Sequence, residues 1–268
     1  IPGYSNTGRI IALGDQVEGF SLGDRVLSKG SHASHVTVST SPQSLVKLPD
    51  EVSFDHGAYG VLGSVSMHGI RKACIEIGEF AVITGMGLVG QLAVQLAAKS
   101  GCEILVAVDL VVERLEISEC NGATHILNFN QRDLQTEIVA ITEGRGIDVV
   151  VEASGYPDVL PALFNISRVG GRIMLLGSLW HRKVDVDFMD FHEKELTMGG
   201  CHQPKCPTTA TPAFPWTQQY NRRQILTMIG RKELDVESLT SHRLPYIDAQ
   251  EAVSYTHLRA NETLRYLV

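Results

Sequence analysis

Gly85, Gly87 and Gly90 stand in the pattern G-x-G-x-x-G, and a carboxylate, Asp109, follows the last of them by 19 residues. These types at this spacing suit a phosphate-bearing ligand. The first glycine permits a tight turn, the second lets main chain approach a pyrophosphate, and the third lets a helix pack closely on a strand. A carboxylate about 20 residues on can accept hydrogen bonds from an adenosine ribose. The chemistry implied is dinucleotide binding through Gly85, Gly87, Gly90 and Asp109, and we count Leu88, Val89, Arg114, Ser154 and Gly177 with these cofactor-binding residues. The alternative is a strand-to-helix turn that binds nothing.

Metal chemistry is less well signalled. Cys201-His202-x-x-x-Cys206 has a metal-like spacing but lacks a fourth ligand, so it reads as loop thiols. His32 and His35 are three apart on what reads as a strand and should point to opposite faces. His68 falls in a helical stretch and reads as a packing residue. We expect no metal.

A dinucleotide site requires a strand, a turn and a helix in that order. Residues 80–83 form an apolar run ending at Thr84, and residues 88–99 carry a helical stripe of Leu88, Leu92, Val94, Leu96 and Ala97. A second apolar strand over 104–108 delivers Asp109. Around this unit, strands and helices alternate. Helices are predicted over 53–73, 111–120, 134–142, 158–166, 220–230 and 247–255. Strands are predicted over 125–129, 147–153, 172–176 and 195–198, with Gly170-Gly171 as a turn. Residues 147–153, IDVVVEA, form a nearly apolar run with two acids, as a central strand would. Such alternation argues for a doubly wound parallel sheet with helices on both faces. Residues 1–48 read instead as β-rich, with strands over 8–14, from Arg25, and over 33–39. Residues 204–215 hold four prolines and read as a loop, and 236–244 as extended.

The chain has 268 residues, enough for one large or two moderate domains, and a net charge of −7 without a long basic block. Nucleic acid and anionic membranes are therefore not expected partners. Five cysteines, scattered and odd in number, suit a reducing compartment, and we expect a cytoplasmic protein. No apolar run is long enough to span a bilayer. The chain opens on Ile1 rather than Met, and we expect residues to precede it.

Six stretches, in order, resemble the medium-chain dehydrogenase/reductase superfamily. They are PGYSNTGRIIALGDQVEGFSLGDRV (2–26), HASHVTV (32–38), TGMGLVG (84–90), DVVVEASG (148–155), GGRIMLLGS (170–178) and DVESLTSHRLPYIDAQEA (235–252). The G-Y-S opening and Phe191-His192 resemble the short-lobed branch related to bacteriochlorophyllide dehydrogenase and threonine/polyol dehydrogenases. The resemblance implies an α/β protein: a Rossmann domain over 63–200 and a GroES-like β-rich catalytic domain over 1–62 that returns over 201–268. It also implies a homo-oligomer, a nicotinamide cofactor and a small alcohol or carbonyl substrate.

The chain departs from the family at its metal sites. Where catalytic-zinc members carry Gly-His-Glu, this chain has Gly3-Tyr4-Ser5, and the carboxylate ligand of polyol-type members falls on Val61. The structural-zinc lobe would follow Gly23-Asp24-Arg25-Val26, where the chain passes almost directly to His32-Ala33. Without zinc, another group must polarise the carbonyl and carry the proton. Tyr4 is the nominee, with Ser5, Ser64 and Ser66 as secondary hydroxyls; the alternative is that Tyr4 merely fills the vacated pocket. The expected function is an NAD(H)-dependent, zinc-independent hydride transfer to or from an alcohol or carbonyl. An NADPH-dependent quinone or enoyl reductase and a non-catalytic dinucleotide-binding protein or truncated fragment stay open. Residues 255–268 do not align with the family and are expected to be peripheral.

Overall fold

The computed structural model describes residues 3–177 and 183–249. The chain divides into two units, Ile1–Ser64 with Gln203–Val268, and Val65–His202.

In the first unit, β1 (Asn6–Arg9), β2 (Arg25–Ser28) and β3 (Leu45–Lys47) form an antiparallel sheet with β2 in the middle. The register places Val26 opposite Gly8 and Lys47, and Leu27 and Val46 are buried beneath it. The strand predicted over 8–14 is shorter and earlier than expected. Residues 33–39 are not a strand, although they alternate. Both edges of β2 are occupied, by β1 and β3, so the alternating stretch does not pair with it. Ser53 caps α1 (Phe54–Gly57) by accepting from the His56 N–H, and α2 (Tyr59–Ala73) follows.

The second unit contains β4 (Phe80–Thr84), α3 (Leu88–Lys99), β5 (Ile104–Asp109), α4 (Val112–Cys120), β6 (His125–Asn128) and α5 (Leu134–Ile141). It continues through β7 (Ile147–Glu152), α6 (Leu160–Ile166), β8 (Ser167–Leu175), α7 (Met189–Glu193) and β9 (Thr197–Gly200). The six strands are parallel in the order β6-β5-β4-β7-β8-β9. The chain winds outward from β4 to β6, then returns to β4's other side with β7. The expected doubly wound sheet is present, and the reversal of strand order lies between β4 and β7, where such sheets bind ligands at their carboxyl ends.

Every residue of β4 and β7 is buried, which accounts for their unbroken apolar character. Val82, Val106, Val150, Leu163, Phe164 and Ile173 form the centre of this core, each contributing about 1.5–3 kcal/mol by burial. The Gly170-Gly171 turn is instead an irregularity inside β8. Gly170 has φ +72° and donates to the Lys194 carbonyl, while the register jumps from Ile147–Ser167 to Val149–Arg172. The last strand starts two residues later than expected and includes Gly199 and Gly200.

Returning to the first unit, α8 (Gln218–Gly230) is capped by Thr217, whose side chain accepts from the Tyr220 N–H. The predicted extended stretch 236–244 opens on a turn instead: the Ser238 N–H donates to Asp235 and the Thr240 N–H to the Glu237 carbonyl, with a single β-bridge residue at His242. A single 3-10 turn, Tyr246–Asp248, opens the predicted last helix. The remainder of that helix and all of 255–268 lie outside the described residues.

Candidate functional site

The glycine turn begins where β4 ends. Gly85 adopts φ +85°, the left-handed region that favours glycine. A Cβ there would stand 2.5 Å from the Ser154 N and Cα, so the turn lies directly against the segment that leaves β7. Gly90 is excluded from bearing a side chain by another contact: its Cβ would fall 1.8 Å from the Gly85 carbonyl oxygen. The close approach is thus to the turn rather than to the strand. Gly87 is the N-cap of α3, with φ −69° and ψ −177°, and no side chain caps that helix. The first N–H groups of α3, together with its dipole, therefore suit phosphate oxygens.

Asp109 closes the turn from the neighbouring strand. Its Oδ2 accepts from the Met86 N–H at 2.5 Å, and its Oδ1 accepts from the Leu110 and Val111 N–H groups at 2.7 and 2.9 Å. The Arg114 guanidinium lies 3.8 Å from Oδ2, and the Arg114 carbonyl accepts from Gln91 Nε2 at 2.7 Å. Leu88 is buried and Val89 half-buried, its carbonyl accepting from the Ser66 hydroxyl. Ser154 and Gly177 sit at the ends of the two strands beyond β4. A Cβ on Gly177 would stand 2.4 Å from the Gly155 N. The structure thus gathers Gly85, Gly87, Leu88, Val89, Gly90, Asp109, Arg114, Ser154 and Gly177 at the carboxyl ends of β4, β5, β7 and β8.

Sequence reasoning missed Glu152, which lies among these residues and is fully buried. Burial pushes its carboxyl above the usual range, opposed by hydrogen bonds from Ser154, Gly155 and Thr84. Its signal was available. A carboxylate in an otherwise apolar strand needs donors, and those donors must come from whatever surrounds it.

Tyr4, Ser5 and Ser64 belong to the other unit. The Tyr4 ring is half exposed, with Lys29 Nζ 6.0 Å from its centroid. The Ser5 hydroxyl donates to the Ala58 carbonyl, and the Ser5 carbonyl is 3.0 Å from His32 Nε2. Ser64, fully buried, donates to the Val61 carbonyl at 2.6 Å. Both serine hydroxyl protons are engaged by main chain, and the Tyr4 phenol is the most open hydroxyl of the three.

A sequence profile described as "Zinc-binding dehydrogenase" matches residues 89–219. D-guloside 3-dehydrogenase of Escherichia coli is 32% identical over 167 residues, 62% of this chain and 48% of that protein. D-xylulose reductase of Saccharomyces cerevisiae is 29% identical over 221 residues, 81% of this chain and 58% of that protein. Galactitol-1-phosphate dehydrogenase of Escherichia coli shares the fold, with a TM-score of 0.83 at 20% identity over 97% of this chain and 81% of that one. These matches liken the chain to the zinc-type medium-chain dehydrogenase superfamily, whose profile covers just under half of it. The chain spans about half the length of the first curated relatives it matches.

Among the described residues, the zinc-ligand positions that the resemblance assigns do not carry a matching donor set. Tyr4 and Val61 stand at two ligand positions of the resemblance, and Val61 is a buried aliphatic side chain. Among the described residues, no three His, Cys, Asp or Glu side chains are grouped so that they could hold a metal ion. Burial pushes the Cys201 thiol up to about 11, so it is not a reactive thiolate. Cys206 Sγ is engaged with the Trp216 carbonyl and the Asn221 amide.

Proposed function

We propose that the chain is an NAD(H)-dependent oxidoreductase acting on a small alcohol or carbonyl without zinc. The observation that carries this reading is the glycine turn. Gly85 is fixed against Ser154, Gly90 against the Gly85 carbonyl, and a helix start without a side-chain cap stands behind them, held by Asp109. Gly85, Gly87, Leu88, Val89 and Gly90 would hold the pyrophosphate, Asp109 and Arg114 the adenosine ribose, and Ser154 and Gly177 the remainder of the dinucleotide. When bound, the nicotinamide supplies hydride transfer. Asp109 disfavours a 2′-phosphate by its charge. Arg114 beside it is the feature that favours one, and it keeps an NADP(H)-dependent reading open.

Tyr4 is proposed as the group that hydrogen-bonds the substrate oxygen and carries its proton. The names of the relatives, a guloside dehydrogenase and a xylulose reductase, favour a polyhydroxylated substrate. The protein is proposed to act in the cytoplasm as a homo-oligomer.

The test is NADH and NADPH titration of the purified protein, followed by turnover assays with a panel of polyols and ketoses. Micromolar NADH binding with weaker NADPH binding is expected. Absence of binding by either nucleotide overturns the reading, and binding without turnover reduces it to a dinucleotide-binding protein. Elemental analysis should find no stoichiometric zinc. Loss of turnover in Tyr4→Phe, with NADH affinity unchanged, would assign the proton to the phenol.

A further inference from the structure

Glu152 ends β7 at the point where strand order reverses, paired in register with Thr84 of β4 and Leu175 of β8. Its Oε1 accepts from the Ser154 N–H at 2.7 Å, from the Ser154 hydroxyl, and from the Gly155 N–H at 2.9 Å. Oε2 lies 3.2 Å from the same Gly155 nitrogen, and the Thr84 hydroxyl is 3.5 Å from Oε1. The main-chain carbonyl of Glu152 accepts from Leu176 and Gly177 at 2.8 and 2.7 Å.

Three segments meet around this one residue. A Cβ on Gly177 would lie 2.9 Å from Oε2, and a Cβ on Gly85 would press on Ser154, which the carboxylate holds. The carboxylate holds the segment after β7 through Ser154 and Gly155 and touches the end of β4 through Thr84, while the main-chain carbonyl of the same residue holds Leu176 and Gly177 after β8. Every donor found on it among the described residues is neutral, a main-chain N–H or a hydroxyl. A pure packing role would be served more cheaply by an aliphatic residue, because a buried acceptor costs free energy unless each donor is well placed.

We propose that Glu152 is the positioning residue of the dinucleotide site, setting Ser154, Gly155 and Gly177 against the glycine turn so that cofactor meets a preformed cradle. This inference rests on the function proposed above. Glu152 itself is fully buried and touches no ligand; it acts through the segments it holds.

The experiment compares wild type, Glu152→Gln, Ser154→Ala and Thr142→Val by NADH titration, thermal unfolding and amide hydrogen exchange. Thr142 is a control for general loss of stability. It is a buried hydroxyl that donates to the Ile138 carbonyl and accepts from the Gly146 N–H, away from the strand carboxyl ends. Glu152→Gln keeps an acceptor at Oε1 but sets an amide N–H₂ in place of Oε2, facing the Gly155 N–H, and removes the charge. It should raise the NADH Kd at least tenfold, with faster exchange at Ser154, Gly155 and Gly177, while unfolding stays cooperative. Thr142→Val should lower the Tm with less than a twofold change in Kd. Ser154→Ala removes one donor to the carboxylate as well as a group proposed to touch the dinucleotide. If Glu152→Gln does not fold, the decisive readout of Ser154→Ala is therefore faster hydrogen exchange at Gly155 without nucleotide, alongside a severalfold rise in Kd. Wild-type NADH affinity in folded Glu152→Gln, or unchanged exchange at Gly155 in Ser154→Ala where the former fails to fold, overturns the inference. An equal loss of affinity in Thr142→Val also overturns it. A wild-type protein that binds neither nucleotide overturns the proposed function first, and this inference with it.

Discussion

At Gly87 the backbone is extended, open to any residue, so a side chain there would meet whatever stands before α3 rather than strain the turn. Gly90 is different, because its Cβ would collide with a main-chain oxygen. Gly87→Val should therefore abolish dinucleotide binding at a stability cost of about 1 kcal/mol or less. Gly90→Ala should lose about 1–3 kcal/mol in denaturant unfolding even without ligand. A second residue gives the molecule a pH dependence. Burial, followed by Lys72, Arg71 and His202, pushes the His68 imidazole down to about 4 from its usual 6.5. Between those values the unfolded chain binds a proton that the folded chain does not, so stability is full above pH 6.5 and falls as pH drops towards 4. The loss should reach about 3 kcal/mol, and His68→Gln should flatten the slope of unfolding free energy between pH 7 and 5. Residues of this kind were unevenly legible. The glycines and Asp109 announce themselves by spacing. Glu152 does not, because its donors come from Thr84 and from the segment after its own strand, a convergence that only the folded sheet creates.

Elements buried on both faces were read closely from sequence, and elements defined by a partner were not. β4, α3, β5 and β7 follow from apolar runs and helical stripes that need no knowledge of neighbours. β3 carries only three residues and no alternation that marks it; it exists because β2 offers it an edge. Residues 33–39 show the reverse case, alternation that does not pair with β2. At the start of β7 an element-level fastening can be tested. Asp148, buried, accepts from the Phe80 N–H at 2.8 Å and pairs with Arg145 and Arg168, tying β4, β7 and β8 together. Burial alone would raise its carboxyl, but the Phe80 N–H, Arg168 and Arg145 hold it below the usual carboxylate range. Asp148→Ala leaves one buried N–H and two partly exposed guanidinium groups without their acceptor. It should cost about 2–3 kcal/mol, read as a lower denaturation midpoint at unchanged m-value.

On the scale of the whole molecule, each cofactor-binding residue nominated from sequence falls in the unit Val65–His202, and the proposed proton carrier Tyr4 falls in the other. Sequence order alone conveys that division, because the parallel sheet is one uninterrupted run of strand and helix while the β-rich unit is assembled from both ends of the chain. On the proposed function, the nucleotide acts on the unit Val65–His202. NADH at 100 times its Kd should stabilise the folded protein by about 2.7 kcal/mol, a rise of about 5–10 °C in the Tm of the unit that binds it. Hydrogen exchange should slow at Met86, Leu88, Val89 and Gly90 and around Ser154 and Gly177, the residues of the proposed cradle. NADPH at the same concentration should give a smaller rise, because in the proposed site the Asp109 carboxylate faces the ribose and repels a 2′-phosphate. Asp109→Ser should then reverse the order of the two nucleotides, with Arg114 left as the nearby cation. A larger rise with NADPH than with NADH in the wild-type protein would assign discrimination to Arg114 and reduce Asp109 to a fastening of the turn through the Met86 N–H.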